Sequence, residues 1–171
     1  MLKAIFLRLN RQEIAAKKIL KIVSLSMIGL IMLMPFLALA LEFRSVAVPK
    51  AVLYDAPSNA AKKILLLSQY YPVEVVVNLD DWLKVRDAQG SISWVEAKQL
   101  SNKRMVLVSA NHAEMRQAAD ASALLVATLQ KDVVLEVVDL KASQNLNSGW
   151  IKVKHRDGVT GYILLSSTWG F

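Results

Sequence analysis

One stretch of the chain occurs twice. Asp81-Trp82-Leu83-Lys84-Val85-Arg86-Asp87-Ala88-Gln89-Gly90 aligns with Gly149-Trp150-Ile151-Lys152-Val153-Lys154-His155-Arg156-Asp157-Gly158 at an offset of 68, and the register holds through Trp94-Val95 against Tyr162-Ile163. Upstream, Val73-Glu74-Val75-Val76 matches Leu135-Glu136-Val137-Val138 at an offset of 62, and Leu53-Tyr54-Asp55-Ala56 matches Met115-Arg116-Gln117-Ala118 at the same offset. A duplication constrains the fold more than composition does, because each copy has to enclose its own apolar residues in a small domain. The step from 62 to 68 places a six-residue insertion in the second copy, between Asp139 and Trp150. That segment is rich in Asn and Ser, as a lengthened hairpin loop should be. Ser101-Asn102-Lys103-Arg104 is the natural junction, so the expected units are residues 46–101 and 105–171.

Each copy reads as β structure. Val73-Glu74-Val75-Val76-Val77 is β-branched, Trp82-Leu83-Lys84-Val85-Arg86 alternates apolar with polar, and Asp157-Gly158 between two such runs signals a hairpin with positive φ at both central residues. Ala113 to Gln130 dissents, since Ala, Leu and Gln are good helix formers. The repeat sets it against Leu53 to Tyr70, which contains Pro57, and strands with loops are therefore expected there. Short strands with turn residues between them predict an all-β chain of two small tandem barrels.

The first 40 residues form a separate unit. Ile22 to Leu41 carries no charge and follows a segment with Lys3, Arg8, Arg11, Lys17, Lys18 and Lys21. About 20 apolar residues can span a bilayer as a helix. Ala38-Leu39-Ala40 supplies the small residues a signal peptidase accepts, and Pro35 breaks the helix just before them. Residues 1–40 are thus read as a signal peptide cleaved after Ala40, or else as a retained signal anchor, with the remainder exported in both cases. The destination is periplasmic or extracellular, and contact with the membrane runs only through this segment if it is uncleaved. Of the net charge of +7, most belongs to the leader, leaving 15 basic against 13 acidic residues on the rest, which argues against a nucleic-acid partner. The absence of cysteine removes disulfides, thiol nucleophiles and cysteine-ligated zinc.

The order of these elements resembles the bacterial SH3 domain. It runs Val52-Leu53-Tyr54-Asp55-Ala56-Pro57-Ser58, Pro72-Val73-Glu74-Val75, Trp82-Leu83-Lys84-Val85, then Gly90 and Ser93-Trp94-Val95. The second copy is similar at its end, with Gly149-Trp150-Ile151-Lys152-Val153 and Gly158-Val159-Thr160-Gly161-Tyr162-Ile163. Ser93 stands where the family usually has a second glycine, the first copy lacks the usual arginine near Tyr54, and Ala119 stands where Pro57 has its counterpart. The resemblance implies a small barrel of about five or six strands, used as a non-catalytic binding module without cofactor, often in cell-envelope proteins.

No catalytic constellation or metal site is visible around the two histidines: His155 reads as a solvated turn residue and His112 has no ligand spacing. The aromatic residues carry more information. Trp82, Trp94, Trp150 and Tyr162 either close the core of so small a barrel or line a groove. Tyr54 with Asp55 is the stronger groove candidate, because it precedes a Pro-containing turn where a strand end should be exposed. Its counterpart is Arg116, so the ligand-binding candidates are Tyr54, Asp55, Trp94, Arg116 and Tyr162. Two functions compete: recognition of peptidoglycan or a wall peptide, and a structural adaptor for another envelope protein. An aromatic groove with exposed Tyr54 or Trp94 favours the first; buried tryptophans with an apolar strip favour the second. The leader itself yields a test: N-terminal sequencing of the exported protein is expected to begin at Leu41, whereas Met1 with membrane retention at high salt would establish an anchor.

Overall fold

The computed structural model describes residues 41–138 and 149–171. The leader, its cleavage site and all of the expected insertion except Gly149 lie outside the described residues. What is described is all β apart from two short 3-10 turns. The first sheet comprises β1 (Glu42–Val46), β2 (Lys50–Tyr54), β3 (Lys63–Ser68), β4 (Pro72–Leu79), β5 (Trp82–Arg86), β6 (Ile92–Glu96) and β7 (Leu100–Ser101). The second comprises β8 (Met105–Val108), β9 (His112–Arg116), β10 (Leu125–Gln130), β11 (Val134–Val137), β12 (Trp150–Lys154), β13 (Thr160–Leu164) and β14 (Thr168–Trp169). The strand orders are β3-β2-β6-β5-β4-β1-β7 and β10-β9-β13-β12-β11-β8-β14, the same order shifted by seven strands. Strands β2 and β9 begin 62 residues apart, and β5 and β12 begin 68 apart. Each sheet has seven strands rather than the expected five or six, because the opening strand pairs both with the fourth and with the short strand after the 3-10 turn.

The cores follow the same register. Ala51, Leu53, Leu67, Val73, Leu83, Val85 and Val95 line the first, and Ala113, Met115, Leu129, Leu135, Ile151, Val153 and Ile163 occupy the matching places in the second. Ala113 to Gln130 is therefore not helical: Ala113 and Met115 point into the core with a period of two, which a helix could not achieve, and burial outweighs propensity. The turn at Asp157-Gly158 differs from expectation. Only Gly158 has positive φ, at 96°, and its N–H donates to the His155 carbonyl at 2.9 Å while His155 N–H donates to Val159 O at 2.8 Å. This is a type I turn closed by a left-handed glycine, which needs positive φ at one residue instead of two. Gly90 closes the matching turn on Asp87.

The segment Leu41–Phe171 is one compact unit. Phe43 of β1 meets Trp169 of β14 edge to face at 5.3 Å between centroids. The Arg104 guanidinium lies 5.9 Å from the Phe43 ring and 5.5 Å from the Phe171 ring. The fully buried Ser45 hydroxyl donates to Lys103 O at 2.9 Å, fastening the linker to the first barrel.

Ser93 at the glycine position has a packing consequence. A Cβ at its counterpart Gly161 would lie 2.5 Å from Met115 Cγ and 2.8 Å from Arg116 O, closer than atoms tolerate. Gly161→Ser should cost about 1–3 kcal/mol through overpacking, and Ser93→Gly about 0.5–1 kcal/mol through backbone entropy. Denaturant melts of the two variants test this asymmetry.

Candidate functional site

In β5 and β6 the side chains alternate. Leu83, Val85, Ser93 and Val95 are buried in the barrel, while Trp82, Lys84, Arg86, Ile92, Trp94 and Glu96 lie on the outer face. On that face Trp94 pairs across the sheet with Tyr54 of β2 and with Lys84 of β5. The Lys84 ammonium sits 5.6 Å from the Trp94 ring centroid, and the Tyr54 ring meets Trp82 edge to face at 5.4 Å. The second barrel repeats the layout. Tyr162 pairs with Arg116 and Lys152, and the Lys152 ammonium lies 5.9 Å from the Tyr162 ring. Each outer face thus carries a half-buried aromatic ring with a lysine beside it. Such a pair offers a flat apolar face and a cationic hydrogen-bond donor, which suits a saccharide or peptide surface.

The structure brings Tyr54 to Trp94 and Arg116 to Tyr162, but it corrects the expected exposure of Tyr54. That ring is 6% exposed, packed on Trp82. The strand end it occupies is capped by its own loop rather than open. Asp55 holds that loop shut: its N–H donates to Lys62 O at 3.1 Å and its Oδ1 accepts from Lys62 N–H at 3.0 Å. Asp55 is in this respect a loop anchor. Glu96, at the edge of the same face, accepts from Lys98 and Gln99, and these partners hold its carboxyl below its ordinary value.

Arg116 is likewise engaged internally. It pairs with Glu114 and donates through Nη1 to Ala123 O at 2.6 Å, tying down the loop 117–124. Within that loop Asp120 accepts from the Ser122 N–H and hydroxyl, which with the nearby Arg116 charge hold its carboxyl low. His155 pairs through Nδ1 with Asp157 at 2.9 Å. No group of three or more His, Asp or Glu side chains that could hold a metal occurs among the described residues.

Lys84 and Lys152 were absent from the candidates read from sequence. The signal was present: each stands two residues after a tryptophan in a strand, and so on its face. Also unread was β3, an edge strand whose Ile64, Leu65 and Leu66 are 53%, 44% and 56% exposed.

The family model for the bacterial SH3 domain matches residues 47–102 and again 109–170. Solved structures similar to the chain include NlpC2 from Trichomonas vaginalis, at 14% identity over 76% of this chain and 48% of that one with a TM-score of 0.34. Another is an NlpC/P60 family protein from Bacillus cereus ATCC 10987, at 15% identity over 74% of this chain and 55% of that one, again with a TM-score of 0.34. The chain spans about half the length of these structures. No curated relative matches it.

Burial reverses the expectation for one substitution. Tyr54→Ala should cost about 3–5 kcal/mol of stability, as for other buried aromatic rings, and a thermal melt within about 0.5 kcal/mol of the parent, the usual surface value, would contradict the packing on Trp82.

Proposed function

The chain belongs to the bacterial SH3 domain family, in two tandem copies, and from that premise we propose that it is a non-catalytic, exported binding module of the cell envelope that recognises peptidoglycan or a wall peptide. The observation carrying this reading is the recurrence of one aromatic ring and one lysine on the same outer strands of both barrels: Trp94 with Lys84, and Tyr162 with Lys152. Two copies on one chain also allow bivalent contact with a repetitive polymer, where the second contact is effectively intramolecular. The location that goes with it is periplasmic or extracellular, reached through the leader at residues 1–40.

A second reading, an adaptor for another envelope protein, is favoured by β3. A strand that ends a sheet exposes unpaired backbone N–H and C=O groups, and here it also exposes Ile64, Leu65 and Leu66. The readings separate experimentally. Co-sedimentation of the full chain with purified sacculi should weaken by about 1–3 kcal/mol for Trp94→Ala, the loss typical of an aromatic anchor, and further when Tyr162→Ala is added. Undiminished sedimentation of the double variant, together with loss of a captured envelope protein in Leu66→Lys, would select the adaptor.

A further inference from the structure

A cleft of about 560 Å³ opens where the second barrel meets the linker and the first barrel's β3–β4 turn. Its walls include Tyr70, Lys103, Asp132, Glu136, Lys154 and Arg156. The size falls within the roughly 300–1,000 Å³ usual for small-ligand sites. The recess is lined by none of Trp94, Lys84, Tyr162 and Lys152, although Lys154 stands on the same face of β12 as Lys152.

The internal repeat shows what has changed here. Glu74 and Arg86 are cross-strand partners in the first barrel and form an ion pair at 3.0 Å. Their counterparts, Glu136 and Lys154, are also cross-strand partners, yet Glu136 reaches instead to Lys103 of the linker at 2.9 Å. Lys154 has no carboxylate partner among the described residues, and neither has Arg156. At the next position Asp87 is buried and anchors its turn by accepting from Gln89 and Ser91 N–H at 3.0 and 2.8 Å. In the second copy that anchoring passes to Asp157, which accepts from Val159 N–H at 3.0 Å, and His155 replaces the aspartate. Arg156 replaces Ala88. One copy therefore has a neutralised surface, and the other a cationic rim beside a cavity.

The acidic residues of the same cleft, of which Glu136 stands beside Lys154 on the neighbouring strand, narrow the ligand. Asp132 and Glu136 would repel a polyanion such as a phosphate chain, but they accept hydrogen bonds from peptide N–H groups. Tyr70 adds an aromatic surface, with its ring 5.0 Å from the Lys103 ammonium. It holds φ at 69°, matching 66° at its counterpart Asp132. Aspartate tolerates this left-handed conformation, whereas tyrosine rarely adopts it. We infer that the cleft binds a short peptide by its free carboxylate, with Lys154 and Arg156 receiving the carboxylate and Tyr70 bordering the preceding residue.

The probe is N-acetyl-alanyl-alanine, titrated into the isotope-labelled full chain in detergent and followed by amide resonances. The free acid should shift the amides of Tyr70, Asp132 and Arg156, and its C-terminal amide should bind at least about tenfold more weakly, a difference of about 1.4 kcal/mol. Restoring the first copy's residues with His155→Asp and Arg156→Ala should weaken the acid at least as much, and Lys50→Ala should leave it unchanged. Should the double variant fail to fold, Lys154→Gln takes its place with the same expectation. Equal affinity for acid and amide, shifts confined to the aromatic faces, or inorganic phosphate binding more tightly than the acid would each overturn the assignment.

Discussion

The Arg104 guanidinium between the Phe43 and Phe171 rings is the contact on which the arrangement of the two barrels depends. A cation withdrawn from water loses hydration, and burial pushes the Arg104 pKa down. Its Nε lacks a hydrogen-bond partner among the described residues. Ring faces are the compensation available, and a planar, weakly hydrated guanidinium accepts them better than an ammonium would. Because one ring comes from β1 and the other from the C-terminal residue, the contact joins the two ends of the described fold. The Phe43–Trp169 pair and the Ser45–Lys103 hydrogen bond reinforce the same junction. The linker's Lys103 is thereby held where it reaches Glu136, so the cleft is a product of the packing and not of either barrel alone.

Duplication conserved interiors and released surfaces. Core side chains correspond place by place as apolar residues, with the larger Leu135 and Ile163 standing where the first barrel has Val73 and Val95. The loops after β2 and β9 solve one problem, closing a strand end, by different chemistry: Asp55 through its own carboxylate, and Arg116 through its guanidinium. Both still leave an aromatic ring and a lysine on the neighbouring outer strands. A feature kept while its surroundings diverge is a better guide to shared use than one present in a single copy.

Much of this was legible in the chain. The change of offset from 62 to 68 gave the strand correspondence, since a repeat reports register without reference to propensity. Ala113 to Gln130 shows the gain: helix formers fill it, and only alignment with a Pro-containing stretch reveals two strands. Tyr54 shows the limit. Its face of β2 could be inferred, but not that Trp82 would pack against it, because that contact joins residues distant in sequence. Nor could the cleft be read, since it depends on which cation Glu136 selects from two within reach, Lys103 or Lys154.

The apolar edges make a final distinction between the functional readings. In the first barrel, Lys62 and Lys63 precede Ile64, Leu65 and Leu66, and lysines at an edge discourage pairing with another chain. The matching positions in the second barrel are Leu124 and Leu125, both exposed, so that edge lacks the corresponding safeguard. An adaptor could therefore add a strand at β10 as well as at β3. Polymer recognition would instead use β5, β6, β12 and β13, which are interior to their sheets and cannot accept a strand. The two readings therefore draw on different strands.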